Sequence, residues 1–181
     1  MKREEFLKTA AFCGFCACAG MPAFAAEAVD DNPELKALQR KVAFVHLRFA
    51  KLVGMLEKDL PPAKLKKLLE RLGRECSREF APIYGKFKGN LEGFLAMCRK
   101  DWKLNCVHDT AAKKVVTYGE KTGECFCPFV DKARMTPAFC NCSLGWQKET
   151  FGVVIDKPVR VEILSAVLRG GRSCDFAVYY G

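Results

Sequence analysis

CFCPFVDKARMTPAFCNCSLGWQKETFGVVIDKPVRVEILSAVLRGGRSCDFAVYY, residues Cys125 to Tyr180, is the stretch that decides the fold. Thr136-Pro137 is a helix start, a hydroxyl followed by proline at the first helical position. The helix is expected to run to about Ile155 and to bury Phe139, Cys142, Trp146, Val153 and Val154. Asp156-Lys157-Pro158 stops it. Val159–Leu168 and Cys174–Tyr180 are rich in β-formers and flank Arg169-Gly170-Gly171-Arg172, which predicts an antiparallel hairpin. Upstream, Lys113–Gly119 reads as a strand. Cys125-Phe126-Cys127-Pro128 is expected to return beside it as a second hairpin strand, with Pro128 at an edge.

Working outward toward the N-terminus, the period changes from two to between three and four. Leu35, Leu38, Val42, Val45, Phe49, Leu52, Val53 and Leu56 form one face of a long helix from Pro33 to about Asp59. Pro61-Pro62 separates it from a second helix with the stripe Leu65, Leu68, Leu69, Leu72, continuing through Cys76 toward Phe80. Gly73 weakens its middle and allows a break. Asn90 is an N-cap for a third helix, Leu91–Trp102, with Leu91, Phe94, Leu95 and Cys98 turned inward. The predicted class is α+β: N-terminal helices packed on a C-terminal antiparallel sheet with one covering helix. Residues 33–181 form a single domain, with a helical half (33–104) and a cysteine-rich half (105–181).

Residues 1–25 read as an export signal. Lys2, Arg3 and Lys8 precede an apolar run from Thr9 to Met21, too short to span a bilayer, and Ala23-Phe24-Ala25 is an A-x-A cleavage site. Lys2-Arg3-Glu4-Glu5-Phe6-Leu7-Lys8 resembles the twin-arginine motif, with Glu4 in place of the second arginine. Residues 26–32 are a polar linker. The expected location is the periplasm or cell envelope.

The 181-residue chain is half hydrophobic and carries a formal charge of +9. It is long enough for one real core. Residues 34–90 hold fourteen Lys/Arg against six Asp/Glu. That reads first as a solvated helix face, and second as a contact for an acidic partner or membrane surface. Nucleic-acid binding is not expected, because neither a motif nor aromatics interleave with the basic residues. No glycine-rich nucleotide loop and no Ser-His-Asp arrangement is visible.

Eight of the eleven cysteines lie beyond the signal: Cys76, Cys98, Cys106, Cys125, Cys127, Cys140, Cys142 and Cys174. An even number in an exported chain invites disulfides, but metal ligation and free redox thiols remain open. Two Cys-x-Cys pairs offer enough sulfur for zinc. On a helix, however, Cys140 and Cys142 point about 200° apart, so a shared metal needs Cys140 at or before the first turn. That position would also lower the Cys140 pKa, making it the candidate nucleophile. His108 is the candidate base; otherwise it is a loop residue. His46 reads as a boundary residue on the first helix. Phe139 and Trp146 are candidate ligand contacts, although both read first as core.

Cys140-x-Cys142-Ser-x-Gly145-Trp146, then Lys157-Pro158-Val159-x-Val161-Glu162, then Leu168-x-Gly170-x-x-x-Cys174-x-Phe176 resembles the bacterial L-2-amino-thiazoline-4-carboxylic acid hydrolase-like family. The same residues are similar to the end of the 4-vinyl-reductase-type sensor domain. The likeness covers about forty residues. It implies an α/β domain that binds a small, often aromatic molecule, some members holding a structural zinc. Carried over, Cys142, Glu162 and Cys174 are the zinc ligands, Ser165 stands where a further cysteine is expected, and Cys127 or Cys140 completes the set. The hydrolase likeness implies opening of a C–N bond in a small cyclic substrate, with Cys140 as nucleophile or ligand and Glu162 or His108 moving protons. Glu162 reads otherwise as an outward strand residue paired with Arg160 or Arg172. A hairpin centred on Gly170-Gly171 leaves Glu162 about 16 Å from Cys174 along the strand. Centring on Arg169-Gly170 puts Ser165 opposite Cys174, and Glu162 then approaches only through a bulge. A ligand-binding module is the first reading, a hydrolase the second, and a cell-envelope interaction protein the third.

Overall fold

A computed structural model describes residues 32–181. The expected export signal and all but the last residue of the expected linker lie outside the described residues. Contacts divide the chain into residues 1–38 and 39–181. In the first unit, the side chain of Asn32 accepts from the amides of Glu34 and Leu35 and caps helix α1, Pro33–Asp59. From Gln39 onward, the rest of α1 is followed by α2 (Pro62–Arg78), the short α3 (Ala81–Tyr84) and α4 (Leu91–Asp101). Strands β1 (Asn105–Asp109) and β2 (Lys114–Tyr118) precede α5 (Cys140–Ile155), and β3 (Arg160–Ser165) and β4 (Asp175–Tyr179) follow it. The expected α+β class is the observed one, with a four-stranded antiparallel sheet in the order β1-β2-β4-β3.

Local chemistry explains most boundaries. Pro62 opens α2 at a position where its missing N–H costs nothing. The Asn90 side chain accepts from the Gly93 amide at 2.9 Å and starts α4 as expected. Thr136 behaves differently. Its hydroxyl makes no cap bond and is buried without a partner, and Pro137–Phe139 form a 3-10 turn that leads into α5. At the other end, Asp156 adopts the left-handed conformation and closes α5.

The partner of β2 is β1, in register Cys106↔Thr117 and His108↔Val115. Cys125–Pro128, expected as that partner, is an irregular loop. The loop docks on the segment leading into β4, where Gly119 N–H donates to Cys174 C=O at 3.2 Å and Gly123 N–H to Arg172 C=O at 2.9 Å. Between β3 and β4 the register shifts at Leu164, so that Ile163 faces Phe176 and Ser165 faces Asp175. The bulge exists, but it adjusts Ser165 and not Glu162.

Two apolar clusters make the core. One joins Phe94, Leu95 and Cys98 of α4 with Leu144, Phe151 and Val154 of α5 and the inner face of the sheet. The other joins Ala50 and Val53 of α1 with Leu65 and Leu69 of α2, Met135 and Phe139. Helices α2 and α5 touch at their backbones. A Cβ on Gly73 would lie 1.8 Å from the Cys142 carbonyl oxygen, and one on Gly145 would lie 1.8 Å from that of Glu70. Gly73 is therefore a close-packing residue inside an unbroken helix. Further along the same pair, Ser77 and Thr150 share a buried hydrogen bond of 2.8 Å, and Glu149 pairs with Arg74 and Arg78. Most of the apolar stripe of α1 faces outward: Val42, Val45 and Leu52 are exposed, and so are Phe44 and Met55. No described helix is long and apolar enough to cross a membrane.

Candidate functional site

Six thiols lie on four separated segments that pack around the start of α5. Cys140 and Cys142 lie in its first turn, Cys76 lies near the end of α2, Cys125 and Cys127 lie in the docked loop, and Cys174 immediately precedes β4. The pairing follows from the packing just described. Gly73 brings α2 onto Cys142, and the bonds from Gly119 and Gly123 lay the loop beside Cys174. Arg169 of the hairpin reaches Asn141 at 3.4 Å and ties the hairpin to the same end of α5. Cys127 and Cys142 pack against the second core cluster together with Leu168.

Their electrostatics report the same neighbourhood. Burial pushes the Cys142 thiol up to about 12, and negative charge on Cys127 or Cys76 would raise it further. Burial likewise lifts Cys125 to about 11, with contributions from Cys174, Cys140 and Cys127. Cys127 and Cys76 are raised chiefly by burial. Cys140 is 8% exposed, and burial raises its pKa although Arg169 opposes the change. The low-pKa nucleophile expected at the helix start is therefore not what this environment makes: desolvation outweighs the favourable contacts.

The other expected site residues lie apart from the thiols. Glu162 is on the outward face of β3, bound to Arg160 and accepting from the Tyr179 hydroxyl at 3.1 Å. Arg160 in turn stacks over the Tyr179 ring at 3.9 Å. His108 is on β1 and its two ring nitrogens are taken, one by the carboxylate of Glu92 on α4 and the other by the hydroxyl of Tyr180. A carboxylate only accepts, so Nδ1–H donates to Glu92 and Nε2 is left to receive the tyrosine proton. Burial raises the Tyr180 pKa, with Glu92 and Asp109 adding to it. Glu92 and Tyr180 were invisible as partners in the sequence, because β1 itself was not recognised. Phe139 is buried edge-on to Phe49 at 5.3 Å, and Trp146 packs on Trp102 at 5.7 Å and on Phe80 at 6.4 Å. Both aromatic residues are packing residues.

Zinc, as the resemblance implies it, would take Cys142, Glu162 and Cys174. Glu162 is turned to solvent, and among the described residues no three His, Cys, Asp or Glu side chains converge as metal ligands. The residues as placed do not fit that set. Directly after Cys127, Pro128 and Phe129 line an open hollow of about 210 Å³ together with Lys41, Val42, Val45 and His46. His46 Nε2 meets the Pro128 carbonyl oxygen at 2.7 Å and fixes the loop against α1 immediately after Cys127.

No family model matches the sequence, and no curated protein matches it. Among solved structures, the chain is similar to trafficking protein particle complex subunit 3 from Naegleria fowleri, covalently bound to palmitic acid. The identity is 13% and the TM-score 0.54, over 78% of this chain and 95% of that one. The likeness is one of fold.

Proposed function

We propose that the chain is an exported, thiol-rich module that binds a small apolar acid at the cysteine cluster. The observation that carries the reading is an apolar hollow whose wall, Pro128 and Phe129, directly follows the loop bearing Cys125 and Cys127. Val42, Val45, Pro128 and Phe129 offer the apolar wall, and Lys41 offers positive charge at its edge. The sensor-like resemblance of the C-terminal half supports this reading, and so does the palmitic acid held by the structural neighbour. Equilibrium dialysis with palmitic acid and with benzoic acid tests it. Saturable binding of either acid by the wild type, lost in Val45→Glu, is the expected result. Absence of saturable binding of both acids would overturn the reading. The hydrolase reading draws no support from the positions of Cys140, Glu162 and His108.

A second reading is favoured by the outward face of α1. Phe44, Val45, Leu52 and Met55 are exposed there, interleaved with Arg48 and Lys51. Such a face suits an anionic membrane surface, as expected of an envelope protein with basic helices. Co-sedimentation with phosphatidylglycerol vesicles but not with phosphatidylcholine vesicles is its signature; equal behaviour with both removes it.

A further inference from the structure

Two cysteines stand outside the six-thiol cluster. Cys98 sits in the last turn of α4 and Cys106 is the second residue of β1. They are 2% and 3% exposed and belong to the same apolar core cluster. The chain between them is folded back on itself. Lys103 adopts a positive φ of 55°, the amides of Trp102 and Leu104 both donate to the Cys98 carbonyl at 3.2 and 3.1 Å, and Arg99 donates twice to the Cys106 carbonyl at 3.3 and 2.8 Å. These bonds hold both ends of a very short loop together. The Cys98 pKa is raised and the Cys106 pKa lowered, each chiefly through the other thiol, and the Cys106 thiol donates to the Leu104 carbonyl at 3.8 Å.

We propose that Cys98 and Cys106 form a disulfide that staples α4 to the edge of the sheet. The pair is separate from the cluster assigned to ligand binding, so this proposal stands or falls independently of that one. The chemistry is thiol–disulfide exchange with a small disulfide, oxidised glutathione being the probe. In the still-open chain either thiolate starts the same exchange, here with Cys106 as the first nucleophile. It attacks one sulfur of glutathione disulfide and releases one glutathione thiolate. Cys98 then loses its proton and attacks the Cys106 sulfur of the mixed disulfide, releasing the second glutathione. The protein loses two electrons and two protons, and one glutathione disulfide becomes two glutathione thiols. With both thiols buried in the folded chain, the exchange takes place before the core closes, which is when an exported chain meets its oxidant.

Peptide mapping decides the matter. The full chain is reduced, refolded with glutathione disulfide, blocked with iodoacetamide in denaturant and cut with trypsin. The expected product is a disulfide-linked pair made of residues 89–99 and 104–113, which separates into two peptides on reduction. Recovery of both peptides carrying the carbamidomethyl label, or of either linked to a different cysteine, would overturn the proposal.

Discussion

Replacing glycine by alanine inside a helix ordinarily stabilises it, because alanine costs less backbone entropy, by about 1 kcal/mol. Three helical glycines in this chain separate that effect from packing. At Gly54 in α1 an added Cβ would meet nothing within 4 Å. Gly54→Ala should therefore raise the melting temperature by roughly 2–4 °C, the shift expected of about 1 kcal/mol in a domain of this size. At Gly73 and Gly145 the same Cβ would lie 1.8 Å from a backbone oxygen, where real contacts stay beyond 3.0 Å. The obstacle is main chain on a facing helix, so no rotamer change relieves it. Helices α2 and α5 would have to separate by about an ångström, which forfeits roughly a quarter to a half of each dispersion contact across the interface. Overpacking of this kind costs up to about 3 kcal/mol. Set against the helical gain of about 1 kcal/mol, the net loss is about 2 kcal/mol. Gly73→Ala and Gly145→Ala should each melt roughly 4–8 °C lower than wild type. The double variant should fall short of the sum, because the first substitution already opens the space that the second needs. Scanning calorimetry on the purified chain checks all four. A rise in melting temperature for Gly73→Ala comparable to that of Gly54→Ala would refute the close-contact reasoning.

Other expectations follow from single side chains. Asn90→Ala should lower stability by about 1 kcal/mol through loss of the α4 cap, and Asn90→Gly by only a few tenths, measured by guanidinium denaturation. Glu149 is penalised by burial, yet Arg78 and Arg74 hold its carboxyl below the usual value, so the folded chain binds fewer protons there than the unfolded one. Its contribution is present above the ordinary glutamate pKa of 4.5 and is lost as pH falls through the lower folded value. Glu149→Gln should therefore flatten the acid limb of the stability curve, and an unchanged limb would count against the pair. Cys142, pushed up to about 12, should alkylate slowly at pH 8 and about tenfold faster for each added pH unit. Rapid labelling of Cys142 at neutral pH would contradict its burial.

Much of this fold was legible because local chemistry and tertiary packing agreed. Asn90, Pro62 and the Gly170 turn mark boundaries by mechanisms that operate within a few residues. The misreadings come from places where distant contacts decide. Asn105–Asp109 is a short edge strand with charged and polar positions, so its pattern was too weak to announce itself. Cys125-Phe126-Cys127 has strand-like residues but was claimed by the bonds of Gly119 and Gly123 to the segment before β4. Gly73 looked like a weak point because sequence shows the propensity cost and not the carbonyl of the facing helix. The stripe of α1 has the right period and still lies largely outside, since period alone does not say which face finds a partner. For the site, the two Cys-x-Cys pairs were visible, whereas Cys76 joined them only through the α2–α5 crossing. The Glu92–His108–Tyr180 arrangement could not be anticipated without β1.

Bridging the native protein with dibromobimane, which joins two thiols only a few ångströms apart, tests the gathering of sulfur most directly. The account predicts bridges between the tryptic peptides 75–78, 122–132, 135–148 and 173–181, with Cys127 and Cys142 among the joined residues. Bridges confined within single peptides, with none connecting these four segments, would contradict it.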